Sequence, residues 1–132
     1  AVMGMRAARD ISGMPASAAG SAFTERLPVP ADASLVRSIV SRHLGVLRNA
    51  GAIHGAIASL LPLAEGNGPA ADPAIVALLI AVFASLRMES RGAHARTDFP
   101  LKLGAADRRQ MRLSQALEIA RATSPYALAR SA

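Results

Sequence analysis

Residues 89–100 read Glu-Ser-Arg-Gly-Ala-His-Ala-Arg-Thr-Asp-Phe-Pro, which brings two arginines, one histidine and two carboxylates into one short stretch. Arginine can clamp a carboxylate through two parallel N–H···O bonds, and a histidine beside it can move a proton. The same residues have a quieter use. Glu89 and Asp98 can neutralise Arg91 and Arg96 at a helix end, and residue chemistry alone favours that structural role.

No other constellation competes. His43 and His54 fall within helical patterns, where a partly buried, hydrogen-bonded imidazole is the ordinary role. With His94 they show no H-E-x-x-H spacing, so a metal site is not expected. The chain has no cysteine, which removes disulfides, thiolate zinc sites and cysteine nucleophiles together. Serine, histidine and aspartate occur without a G-x-S-x-G elbow. Gly66-Asn67-Gly68 lacks the glycine spacing and the preceding strand of a phosphate loop, and reads as a turn.

The elements that must position residues 89–100 are helical. The chain is 132 residues long and 52% hydrophobic but 3% aromatic, with alanine and leucine in the majority, a composition that favours helix over sheet. Val2, Met5, Ala8 and Ile11 share a helical face that Gly13 stops. Residues 13–31, rich in Gly, Ala, Ser and Pro, read as a linker, and Leu27-Pro28-Val29-Pro30 should be extended. Asp32 or Ser34 can cap a helix carrying Leu35, Val36, Ile39, Val40, His43, Leu44 and Leu47, which Asn49-Ala50-Gly51 breaks. A further helix carries Ile53, Ile57, Leu60 and Leu61 and ends at the turn-rich Glu65–Pro69.

Asp72-Pro73 reads as an N-cap followed by proline at the first helical position. The helix it opens is apolar all round through Phe83, which predicts a path through the middle of a bundle. Arg87 and Glu89 mark its exit, and Arg91-Gly92 its end. Gly92 to Leu103 loses helical period. Residues 108–113 are ambiguous between helix and strand. Ser114 can cap a short helix to Ala122, and Ser124-Pro125 repeats the cap-plus-proline signal. The expected architecture is all-α. It is a three-helix bundle of spectrin-like up-down-up arrangement with an extra N-terminal helix and a short C-terminal helix. Residues 1–12 form the first helix, 13–31 the linker and 32–132 the bundle.

Charge and hydropathy exclude several classes. The run Ala74–Leu86 falls short of the ~20 apolar residues needed to cross a bilayer. The N-terminus lacks the pattern of a secretory signal, and its first residue is not methionine, which fits a segment of a longer chain. Fifteen basic against nine acidic residues invite a nucleic-acid reading. Every basic residue except Lys102 is arginine, however, and they are scattered, with only Arg108, Arg109 and Arg112 clustered. Few aromatics are present to stack on bases. No nucleic-acid partner is therefore expected.

Residues 89–100 resemble the signature of the C-terminal helical domain in the succinate dehydrogenase/fumarate reductase flavoprotein family. Arg42-His43-Leu44-Gly45-Val46-Leu47-Arg48 resembles the Gly-Val/Ile-x-Arg helix end of that domain. Residues 1–12 resemble the tail of the helix that closes the flavin domain upstream. The resemblance covers residues 1–103 in order. Residues 104–132 depart from it, because the acidic, tryptophan-containing continuation of the respiratory subunits is missing. Within the family this favours the branch that oxidises L-aspartate to iminoaspartate.

That resemblance implies FAD in the longer parent, oxygen or fumarate as electron acceptor, and a product that feeds quinolinate and NAD synthesis in the cytoplasm. The dinucleotide fingerprint and the family's catalytic arginines and histidines lie outside this sequence, so no catalytic, cofactor-binding or metal residue is assigned here. The implied role is a structural domain packing on the parent's own flavin and capping domains, with Arg48, Arg91, His94 and Arg96 as candidate interdomain contacts. A homo-oligomer through the N-terminal helix is a further expectation, with quinolinate synthase as pathway neighbour and no membrane partner. The alternatives are a segment of a respiratory flavoprotein subunit, or a small basic helical module that binds nucleic acid or a partner helix.

Overall fold

The computed structural model describes residues 31–105 and 108–123, together with Met5 and Ser12. The element order is α1 (Ser34–His43), β1 (Leu47–Arg48), α2 (Ala50–Ala64), α3 (Ala71–Leu86), β2 (Ala95–Arg96) and α4 (Leu113–Thr123). The expected helix over 1–12, the linker up to residue 30 and the last turn after Ser124 lie outside the described residues.

α2 and α3 form the centre of the fold. They are joined by the Glu65–Ala70 turn and share the most extensive packing, with Ile53, Ile57, Leu60, Leu78 and Val82 fully buried between them and their neighbours. Each such side chain contributes roughly 1.5–3 kcal/mol relative to exposure. α1 adds Val36, and α4 inserts Ala116 and Ala120 against both central helices. Small residues let helices approach closely. At Gly55 an added Cβ would stand 3.2 Å from the His43 ring, so the glycine is what allows the end of α1 to lie on α2. The architecture is the expected all-α bundle, with one addition that helical periodicity did not announce. β1 and β2 pair in parallel, Leu47 opposite Ala95 and Arg48 opposite Arg96.

Helix boundaries depart from expectation in instructive ways. α1 stops at His43 rather than running to Leu47; Leu44 is still buried, but the chain then bends into β1. Asp32 accepts the Ser34 N–H at 2.9 Å, one residue outside the N-cap position held by Ala33. Asn49 ends no helix. It is the N-cap of α2, its Oδ1 accepting the Ala52 N–H at 2.9 Å. α3 begins at Ala71, so Asp72 and Pro73 stand in its first turn rather than at cap and first position. A first-turn proline still gives up only an N–H that has no helical partner. α4 begins at Leu113. Its first turn is closed by Gln115, whose Oε1 accepts the Arg112 N–H, rather than by Ser114, and residues 108–112 are neither helix nor strand.

α3 is not enclosed on every side, as a path through the middle of the bundle would require. Its Ala74, Ala77, Leu78, Ala81 and Val82 side is buried, yet Val76 is 59% and Ile80 51% exposed. Three other short helices cover α3 from one side only. Its apolar circumference exceeds what this fold encloses.

Candidate functional site

The segment 87–103 leaves the end of α3 and folds back over both central helices. Arg91 and His94 exchange backbone hydrogen bonds, the Arg91 N–H donating to His94 O at 2.8 Å and the His94 N–H to Arg91 O at 3.1 Å. Gly92 turns the chain between them at φ +58°, a conformation that L side chains rarely adopt. Beyond this turn β2 pairs with β1, and the Thr97 N–H donates to Arg48 O at 2.9 Å. The pairing brings Arg48 beside His94 and Arg96, forty-odd residues away in sequence.

Arg96 is 3% exposed, and its whole guanidinium is used. Nε and Nη2 donate to the two carboxylate oxygens of Asp98 at 2.9 and 2.6 Å. Nη1 donates to the carbonyls of Ala84, Ser85 and Arg87 at 3.2–3.3 Å, closing the C-terminal end of α3. The ring of Phe99 lies under the guanidinium, 4.7 Å from centroid to Cζ. Asp98 in turn accepts the Ala50 N–H, a first-turn donor of α2, at 2.8 Å. One ion pair therefore sets a cation at the C-terminus of α3 and an anion at the N-terminus of α2, each favoured by the local helix dipole. The Arg96 hydrogen bonds, which outweigh the opposing effect of burial, hold the Asp98 carboxyl far below the usual carboxylate range.

Glu89 is 3% exposed and accepts from Arg87 Nη1 at 2.8 Å, Arg91 Nε at 3.0 Å and the Leu103 N–H at 3.0 Å. Burial pushes its acidity toward weaker, but the Leu103 N–H and the two arginines overcome this and hold the carboxyl below its ordinary value. Arg91 also donates to Leu103 O, so Glu89 and Arg91 fasten the far end of the loop. Ser90 accepts the Arg96 N–H at 2.8 Å and donates to Phe99 O at 2.9 Å. Its hydroxyl is occupied with backbone and is not a nucleophile.

His94 lies between Arg48 Nη1, 3.1 Å from its Nδ1, and the Arg87 carbonyl, 3.3 Å from its Nε2. A guanidinium only donates, so Nδ1 accepts and the proton sits on Nε2. The imidazole is neutral. Burial lowers its pKa; the bond to Arg87 O works the other way, and the charges of Arg48, Arg87 and Arg96 add to the lowering. Arg48 also donates from Nε to Gly45 O at 3.0 Å.

The structure thus gathers all four candidate contacts, Arg48, Arg91, His94 and Arg96, into one network. The mutual neutralisation expected of the loop is what its ion pairs do. His43 packs on Gly55 and His54 is exposed on α2, and neither joins the network. Sequence reasoning missed Ser90, Phe99 and the Ala50 N–H as partners, because these contacts join residues with no common periodicity. It also passed over the groove in front of His94, floored by Leu79, Ile80, Phe83 and Ala84 and edged by Arg48 and Arg87. The described residues do not fit a flavin. Gly66–Gly68 is the α2–α3 turn, and the guanidinium groups of Arg91 and Arg96 are spent on carboxylates and carbonyls. No group of three or more metal-ligating side chains occurs among the described residues, and none of their helices is long and apolar enough to cross a membrane.

Residues 70–122, from the first turn of α3 to the end of α4, match the family described as fumarate reductase flavoprotein C-term. The chain carries the C-terminal domain of this flavoprotein family. It is similar to L-aspartate oxidase of Agrobacterium fabrum, 54% identical over 134 residues that cover 98% of this chain and 26% of that protein. L-aspartate oxidase of Xylella fastidiosa is 57% identical over 121 residues, 90% of this chain and 23% of that protein. The protein of the same name from Mesorhizobium japonicum is 45% identical over 92 residues, 70% of this chain and 18% of that protein. The chain therefore spans about a quarter of the length of the Agrobacterium and Xylella relatives. No solved structure gives a significant match. For this flavoprotein C-terminal domain, the segment 87–103 is the internal brace of the fold.

Proposed function

We propose that the chain is the C-terminal structural domain of an FAD-dependent L-aspartate oxidase of the cytoplasm, which converts L-aspartate to iminoaspartate. Identity to L-aspartate oxidases along nearly the whole chain carries this reading. The loop chemistry supports it, since its arginines, carboxylates and hydroxyl are engaged with one another and none is poised to act on a substrate. The flavin and the reacting groups belong to the upstream part of the longer polypeptide, and this domain buttresses that part. Arg48 and His94, at the edge of the groove, are the contact residues. Buried Arg96 ties the loop to the end of α3, and Arg91 holds it to Leu103. Exposed Met5 is a candidate contact for self-association.

The purified chain is expected to bind no FAD and to produce no peroxide from L-aspartate, whereas the polypeptide extended upstream to the length of its relatives does both. Turnover or stoichiometric flavin on the 132-residue chain alone overturns the reading.

A further inference from the structure

Two faces of α3 are apolar, and the bundle uses one of them. Val76, Ile80 and Phe83 recur at spacings of four and three, so they form a stripe along the helix, and Val76 and Ile80 are more than half exposed. The stripe runs into the groove edged by Arg48 and His94, and exposed Leu47 of β1 lies beyond Arg48. Among the described residues no carboxylate lines this groove and none forms an ion pair with Arg48. An apolar strip ending at a cation fits an apolar partner element that carries a carboxylate. A second copy of the same strip would bring no carboxylate to Arg48. The missing partner has ample source, since the matched L-aspartate oxidases are about four times as long as the matched segment.

Resting on the functional reading above, we propose that this stripe and groove are the seat of the upstream, flavin-binding portion of the same polypeptide. That portion contributes an apolar element over Val76 and Ile80 and a carboxylate to Arg48. The face is specific: exposed Leu35 of α1 and Leu113 of α4 take no part in lining the groove.

Hydroxyl-radical footprinting of the 132-residue chain and of the upstream-extended polypeptide tests this directly. Modification of Val76 and Ile80 is expected to fall on the order of tenfold in the longer polypeptide, as for residues in a well-packed interface core, with Leu35 and Leu113 unchanged. Protection of Leu35 or Leu113 with Ile80 still open would overturn the assignment of the face and leave the domain-packing reading intact. Protection nowhere would overturn both. Protection of Ile80 in the short chain that grows with concentration would assign the face to a second copy, and protection lost on deleting residues 1–30 would assign it to the chain's own N-terminus; each overturns the proposal. A variant gives an independent readout. Ile80→Arg, at an exposed site, should leave the thermal transition of the short chain in place while splitting that of the longer polypeptide into two, and a single unchanged transition there counts against the proposal.

Discussion

Arg96 makes its contacts with both termini of the central helices through a single planar group. Its fork matches the two oxygens of Asp98, while the third nitrogen reaches three carbonyls at the end of α3. Lysine keeps the charge but cannot satisfy both sides. Arg96→Ala removes one member of a pair in which the arginine is buried and leaves helix-end carbonyls without their donor, so it should cost about 3 kcal/mol or more. Arg96→Lys should recover only a minor part of that loss. Urea denaturation of the chain measures both, and a Lys variant as stable as the parent would show that charge alone suffices. His94 adds a pH dependence of definite sign. Its folded-state pKa lies below the ordinary 6.5, so the unfolded chain takes up a proton first and stability falls as pH drops from that value through the folded pKa. Glu89 and Asp98 are also lowered, from 4.5 and 3.8, and act in the same direction at lower pH. Stability should therefore decline in two stages on acidification. His94→Gln should flatten the first stage and leave the second, as followed by denaturant midpoints across a pH series.

α2 depends on groups outside itself for its first turn. Asn49 Oδ1 caps the Ala52 N–H and Asp98 takes the Ala50 N–H, so two distant parts of the sequence satisfy neighbouring donors. Asn49→Ala should cost about 1 kcal/mol, and Gly92→Ala about 1–2 kcal/mol by forcing a side chain into the left-handed region, both read from chemical denaturation. The same contacts explain which parts of the fold the sequence announced. The apolar residues of α2 and α3 are local signals, and each segment is legible as a helix from sequence. Leu44 and Leu47 kept helical spacing past the true end of α1, because periodicity cannot register that β1 is pulled out by pairing with a strand nearly fifty residues later. Asn49 was read as a breaker. A cap is both the end of one path and the start of the next helix, and composition alone does not distinguish them. In the loop, mutual charge neutralisation followed from residue types, but which arginine met which carboxylate depended on the turn at Gly92 and the β1–β2 register.

The net charge of +6 would matter if it made a continuous basic surface. Among the described residues part of it is neutralised in ion pairs. Arg87 and Arg91 pair with Glu89, Arg96 with Asp98, and Arg121 with Glu65. A phosphate backbone binds through several cations neutralised in register, and the affinity then falls steeply with salt. Here Arg48 and Arg87 edge a groove whose floor is apolar, a pattern suited to a protein surface. A labelled DNA duplex should therefore show no saturable anisotropy change with the purified chain at about 0.15 M salt. Saturable binding with a steep salt dependence would mean that the scattered arginines combine into one face, and would favour a nucleic-acid module over a flavoenzyme domain. The apolar stripe on α3 argues against that outcome. Val76 and Ile80 expose hydrocarbon, which offers a phosphate backbone nothing to bind.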